Sequence, residues 1–228
     1  MRPKRIFPLG ENAVTVEFGN EISEPLNDAA ISLAAYFEKN RFPGFVEAVP
    51  AIASVTIFYK LHEVRKNLSD NSTAFEFVKH LAKNAFTDAD SISVINSRVV
   101  EVPISFRVEH SLDLQVIAEV SRLSTDKVIE IFLSKTYRVY MLGFLPGFAY
   151  MGIVDERIAV PRKTSPRLIV PKGSVGIAGQ QTGIYPNESP GGWQIIGRTD
   201  LELITSDEAS PCLFQSGDAV RFVDVTER

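Results

Sequence analysis

Beyond Lys135 the chain is cut by glycine or proline every few residues, and the apolar pieces between the cuts are too short for helices. Tyr137 to Met141, Leu168 to Val170, Val175 to Ile177, Gln194 to Ile196, Leu201 to Ile204 and Ala219 to Val223 read as short strands. Many short strands joined by Gly/Pro turns are the texture of a closed or nearly closed β-barrel. Ahead of them, Val99 to Phe106 reads as a strand, followed by a helical pair, Asp113 to Arg122 and Thr125 to Leu133, with Ser124 capping the second.

The first ninety-odd residues have a different texture. Ile6-Phe7 and Val14-Val16-Phe18 flank the turn Gly10-Glu11-Asn12, which predicts a hairpin. Leu26, Ala29, Ala30, Leu33, Ala34 and Phe37 recur at helical spacing between Ser23 and Asn40. Ser23 is placed to cap that helix, and Phe42-Pro43-Gly44 ends it. Phe45 to Val49 and Ala53 to Tyr59 read as strands, and Thr73 to Phe86 as a second helix with Phe75, Val78, Ala82 and Ala85 inward. The order ββαββα, closed by a strand at Ile92 to Ile95, suits an antiparallel sheet with two helices on one face. The polar run Thr87 to Ser97 is the expected boundary, so the domains are 1–96 and 97–228.

Bulk properties exclude several classes of function. A formal charge of -4 gives no electrostatic footprint for nucleic acid or an anionic membrane. No apolar run is long enough to span a bilayer or form a signal peptide. A lone cysteine, Cys212, rules out an internal disulfide and suits a reducing cytoplasm. Cys212 lies in apolar Pro-Cys-Leu-Phe, and His62, His80 and His110 lack metal-ligand spacing, so neither a thiol nucleophile nor a metal site is expected. The run Gly173 to Gly179 resembles a phosphate loop, but Gln180 to Pro186 carries no helical period, and turn glycines are the better reading.

The stretch from Tyr137 to Thr199 reads as a binding surface. In Met141-Leu-Gly-Phe-Leu-Pro-Gly-Phe-Ala-Tyr-Met-Gly152, the rings of Phe144, Phe148 and Tyr150 are set by Gly143, Pro146, Gly147 and Gly152. Arg162, Lys163, Arg167 and Lys172 then alternate with Pro161, Pro166 and Pro171, so the cations lie on a stiffened chain and lose less entropy on meeting an anion. Gly191 and Gly192 permit close approach beside Trp193, the only tryptophan, and Arg198 follows. Gln180, Gln181 and Thr182, with Gln194, add neutral polar groups around an apolar floor, the usual make-up of a small-molecule or peptide site. The expected substrate- or partner-binding set is Phe144, Pro146, Gly147, Phe148, Arg162, Arg167, Gln180, Gln181, Thr182, Gly191, Gly192, Trp193 and Arg198, with Arg167 and Arg198 gripping a carboxylate. The stretch holds no histidine or cysteine, and its carboxylates are Asp155, Glu156 and Glu188. General acid–base groups are therefore scarce, and another chain is expected to supply some of them.

Thr136-Tyr-Arg-Val-Tyr-Met-Leu-Gly-Phe-Leu-Pro-Gly-Phe, the Ser-Pro-Arg-Leu around Arg167, Gly173-Ser-Val-Gly-Ile-Ala-Gly, Gln181-Thr-Gly-Ile-Tyr-Pro and Ser189-Pro-Gly-Gly-Trp through Gly-Arg-Thr199 resemble the signature of the allophanate hydrolase subunit 1 family. The resemblance is near-continuous over these segments and looser over the whole chain. It implies a small α+β N-terminal domain followed by a cyclophilin-like β-barrel domain. It also implies a role as the B-type component of an ATP-dependent 5-oxoprolinase complex, which opens the lactam of 5-oxo-L-proline to L-glutamate. The implied partners are a homologous C-type (or subunit 2) component with a similar barrel and a third, A-type component. ATP would be used by the assembled complex, and this chain would be inactive alone, with no cofactor of its own. The same family includes an inhibitor of a sporulation histidine kinase and subunits of urea- or allophanate-processing enzymes, which stand as alternatives. Two departures stand out: Phe106-Arg-Val-Glu-His-Ser-Leu-Asp-Leu114 replaces a glycine-rich segment of relatives, and Phe132 replaces a histidine.

Overall fold

The computed structural model describes residues 2–68, 72–86, 98–207 and 211–227 of the 228-residue chain. It divides into two compact units, Met1–Asn96 and Ser97–Arg228. The expected closing strand Ile92 to Ile95, and the whole polar boundary run Thr87 to Ser97, lie outside the described residues.

In the first unit, β1 (Arg5–Pro8) and β2 (Ala13–Glu17) form the hairpin, turning at Gly10 with φ 67°. The helix α1 (Glu24–Lys39) is followed by β3 (Phe45–Pro50) and β4 (Ser54–Tyr59). A short helix α2 (Leu61–Lys66), which the sequence did not announce, precedes α3 (Ala74–Ala85). The four strands form an antiparallel sheet in the order β1-β2-β4-β3. Val14, Val16, Val55 and Ile57 pack with Ala30, Leu33, Phe37, Val78 and Ala82 of the helices, which fall at the three- and four-residue spacing that makes one helical face. Thr73 caps α3 by accepting a hydrogen bond from the Glu76 amide at 3.1 Å. Ser23 stands at the N-cap of α1, but its side chain makes no cap bond, and Pro25 opens the helix instead.

The second unit begins with β5 (Val99–Ile104), α4 (Leu114–Ser121) and α5 (Thr125–Leu133), with the Ser124 hydroxyl accepting from the Lys127 amide at 3.2 Å as expected. The strands β6 (Thr136–Leu142), β7 (Ala149–Gly152), β8 (Arg167–Val170), β9 (Ser174–Ala178), β10 (Gln181–Ile184), β11 (Ser189–Gly191), β12 (Gln194–Arg198) and β13 (Ala219–Asp224) follow. Seven of the strands make one sheet in the order β12-β9-β10-β7-β6-β13-β5, parallel only between β13 and β5, while β8 and β11 pair as a separate ribbon. The sheet curls. Its two edge strands meet where Ser105 and Arg198 exchange backbone hydrogen bonds of 2.8 and 3.0 Å. Gly197 makes that meeting possible, since a Cβ there would lie 2.8 Å from Ile104 Cδ1 and 2.9 Å from the Ser105 carbonyl.

The glycine-rich run at 173–179 is thus largely β9, inside the sheet. Phe132 is wholly buried, its ring 5.0 Å from Tyr137 and 4.9 Å from Phe222, and belongs to the core. The segment Leu201 to Ile204, expected as a strand, pairs only through one bridge between Ile204 and Cys212.

Candidate functional site

Five aromatic rings converge in the second unit. Phe148 meets Phe144 at 5.5 Å, Tyr150 at 4.9 Å, Tyr185 at 5.4 Å and Trp193 at 5.5 Å between centroids, each edge-to-face. Edge-to-face rings leave concave corners that flat stacking would close. Here they enclose a cavity of about 290 Å³ lined by Phe144, Phe148, Tyr150, Arg162, Lys163, Pro166, Tyr185, Pro190, Gly191, Gly192 and Trp193.

Local sequence explains how each wall is held. Phe144 sits in the tight turn between β6 and β7, 59% exposed and at φ 69°, a backbone region that a bulky side chain rarely adopts. The amide of Gly143 donates to the Phe148 carbonyl at 3.1 Å and that of Phe148 to the Leu145 carbonyl at 3.0 Å, which holds the strained turn. Gly191 is needed at the opposite wall, because a Cβ there would come within 2.4 Å of the Tyr185 hydroxyl. Burial pushes that hydroxyl above the usual phenol range, against the lowering effect of the Trp193 backbone N–H and of Arg162, so Tyr185 is a neutral hydrogen-bonding group.

The charged wall has one carboxylate at its base. Asp113, which precedes α4, is 2% exposed. Its Oδ1 accepts from Arg167 at 2.6 Å and from Lys163 Nζ at 3.2 Å, and its Oδ2 accepts from Arg167 at 2.8 Å and from the Ile195 amide at 2.7 Å. Burial by itself would raise this carboxyl, but the bonds from Arg167, Ile195 and Lys163 outweigh it and hold it below the usual carboxylate range. All four of its lone-pair directions are taken, so Asp113 is not free to act as a general base. Arg162 has no carboxylate partner among the described residues, and its guanidinium carbon stands 5.7 Å from the Trp193 ring centroid.

Of the residues expected from the sequence, Phe144, Phe148, Arg162, Gly191, Gly192 and Trp193 come together at the cavity. Arg167 does not line it; its fork is occupied by Asp113. Arg198 lies at the far end of β12, roughly 17 Å along the strand from Trp193, with its Nε buried and unpartnered. Gln180, Gln181 and Thr182 form the turn and start of β10 away from the lining, with the Thr182 hydroxyl bonded to the Gly176 carbonyl at 2.9 Å. Pro146 is exposed in the β6–β7 turn, and Gly147 (φ 82°) packs on Leu203 and Ile204. Tyr185, Pro190 and Asp113 were not singled out from the sequence. Their signal is long-range: Asp113 and Arg167 are 54 residues apart.

No group of three or more histidine, cysteine, aspartate or glutamate side chains is poised to hold a metal among the described residues. No helix among them is long and apolar enough to cross a membrane. A family model described as "Carboxyltransferase domain, subdomain C and D" matches residues 4–214. The B-type subunit of 5-oxoprolinase from Bacillus subtilis (strain 168) is 44% identical over 225 residues, covering 98% of this chain and 94% of that protein. The protein of the same name from Escherichia coli O157:H7 is 35% identical, covering 100% and 99%. Among solved structures, the urea carboxylase of Kluyveromyces lactis superposes with a TM-score of 0.74 at 22% identity, over 97% of this chain and 22% of that one, a likeness of fold.

Proposed function

The chain belongs to the carboxyltransferase subdomain C and D family, and from that premise we propose that it is the B-type component of an ATP-dependent 5-oxoprolinase complex that hydrolyses 5-oxo-L-proline to L-glutamate. The observation that carries this reading is the 44% identity to a B-type 5-oxoprolinase subunit, end to end in both chains.

The cavity supports it chemically. A five-membered lactam with one carboxylate needs an apolar wall for its ring and a cation for its acid group. The aromatic corner supplies the first, and Arg162 with Lys163 the second. The hydroxyls of Tyr150 and Tyr185 suit a lactam carbonyl or N–H. No histidine, cysteine or carboxylate lines the cavity among the described residues, so a base and the coupling to ATP would come from partner subunits. Those partners are a homologous C-type component with a similar barrel and a third, A-type component. ATP is consumed by the assembly, and this chain holds no cofactor and is inactive alone. In this reading the curled seven-stranded sheet, with its Ser105–Arg198 seam, is the wall of a cyclophilin-like barrel, and the protein works in the cytoplasm.

The test is reconstitution. Purified with its C-type and A-type partners, the chain should support ATP-dependent release of glutamate from 5-oxo-L-proline, and none of the three should do so alone. An assembled complex without that activity overturns the proposal.

A further inference from the structure

Three cations and one carboxylate stand at the charged wall of the cavity, two of the cations bound to the carboxylate, and the carboxylate is the most buried of the four groups. Arg162 faces Trp193 with no acidic partner among the described residues, Lys163 lines the cavity, and Arg167 stands behind it, while Asp113 binds Lys163 and Arg167 at once. The side chain of Asp113 is 2% exposed against 27% for Lys163 and 24% for Arg167. A charge so far from water is weakly screened, so it is felt across the cavity wall as well as by its direct partners.

We propose that Asp113 moderates the charge specificity of the cavity, offsetting one of the three positive charges at its wall so that a second carboxylate on the ligand adds less affinity than it would without Asp113. This deepens the reading above, on which it rests for the cavity being the ligand site. The lactam acid carries one negative charge and a neutral ring amide. A cavity left with the full complement of cations would instead hold dianions tightly and be occupied by them. Asp113 is anchored for that task by the β12 backbone. Its Oδ2 accepts from the Ile195 amide, and its own amide donates to the Ile195 carbonyl at 2.8 Å, which fixes the carboxylate relative to Trp193 two residues away. Its carboxyl is also held below the ordinary range, so it stays ionised at neutral pH whether or not the cavity is filled.

Trp193 is the chain's only tryptophan and lines the cavity, so its fluorescence reports occupancy directly. The probes are glutarate and its monoamide, which share a shape and differ by one negative charge. The affinity ratio of glutarate to monoamide in the wild-type protein is the reference. In Asp113→Asn, which keeps an oxygen for the Ile195 amide, the affinity ratio of glutarate to monoamide should rise about tenfold. A loosened fold would weaken both probes together and leave the ratio unmoved. Where Asp113→Asn does not give native circular dichroism, Asp113→Ser decides, since it also removes the carboxylate and the ratio should rise in the same way. An unchanged ratio in a folded Asp113→Asn, or in Asp113→Ser where that variant decides, overturns the proposal. So does the absence of any response to either probe in the wild type. Titration with 5-oxo-L-proline separates the two readings: if it fails where the monoamide binds, the substrate is wrong and the role of Asp113 stands.

Discussion

Asp113 and Arg167 show what one residue can decide. A carboxylate with a 2% exposed side chain is tolerable only because two cations and a backbone amide satisfy it. Removing Arg167 takes away its bidentate partner and leaves a buried charge half-compensated. Arg167→Ala is therefore expected first to destabilise the second unit, by about 3 kcal/mol, at the lower end of the range for breaking a buried pair because Lys163 and the Ile195 amide remain. Urea unfolding should show a lower midpoint at unchanged slope. The pH dependence has a definite sign. The folded carboxyl lies below its ordinary value, so its stabilisation is complete at neutral pH and fades as the pH falls from about 4 downward through the folded value. With Arg167 gone the depression shrinks, and in melts taken across acid pH the variant should differ most from wild type near neutrality and converge with it as the pH falls through the folded value. An equal difference at every pH would mean that Arg167 contributes by packing alone.

At the scale of elements, the seam between β5 and β12 carries the closure of the sheet. Gly197 admits Ile104 and the Ser105 carbonyl where any side chain would collide at under 3 Å. Gly197→Val should part the seam, so the amides of Ser105 and Arg198, bonded at 2.8 and 3.0 Å, should exchange with solvent faster while those in the β9–β10 hairpin stay protected. Equal protection of the seam in the variant would show that the strands can shift to absorb a side chain. The same glycines explain how far the elements were legible. The helices α1, α3 and α5 announce themselves, because a wide apolar face repeats over three turns or so and residues such as Leu33 and Phe37 fall on it. The strands β7, β10 and β11 are three or four residues long, and in Gln181–Ile184 a central glycine leaves too few side chains to show alternation. Site residues close together in sequence, such as Phe144 and Phe148 or Gly191 to Trp193, were readable as a cluster. Asp113 was not, because its role exists only through Arg167 and Ile195, which no local pattern links to it.

For the whole molecule, the arrangement of cores matters more than any one contact. Every member of the core around Val14, Leu33 and Ile57 belongs to the first unit, and the two around Ile117 and Phe148 belong to the second. Among the described residues, none of these apolar clusters draws on both units. A stretch of 132 residues, Ser97–Arg228, is long enough to bury a core by itself, and the aromatic cavity, Asp113 and the Ser105–Arg198 seam all lie inside it. Independent cores predict independent folding. Expressed alone, residues 97–228 should give dispersed amide resonances and a cooperative melt, and the full chain should unfold in more than one step. The sharper readout is functional: Trp193 in the fragment should respond to glutarate monoamide with an affinity within about threefold of the full chain, a difference of under 1 kcal/mol. A fragment that folds but has lost the response would mean that the first unit shapes the ligand site. A fragment that does not fold would mean that the separate apolar clusters are not separate folding units.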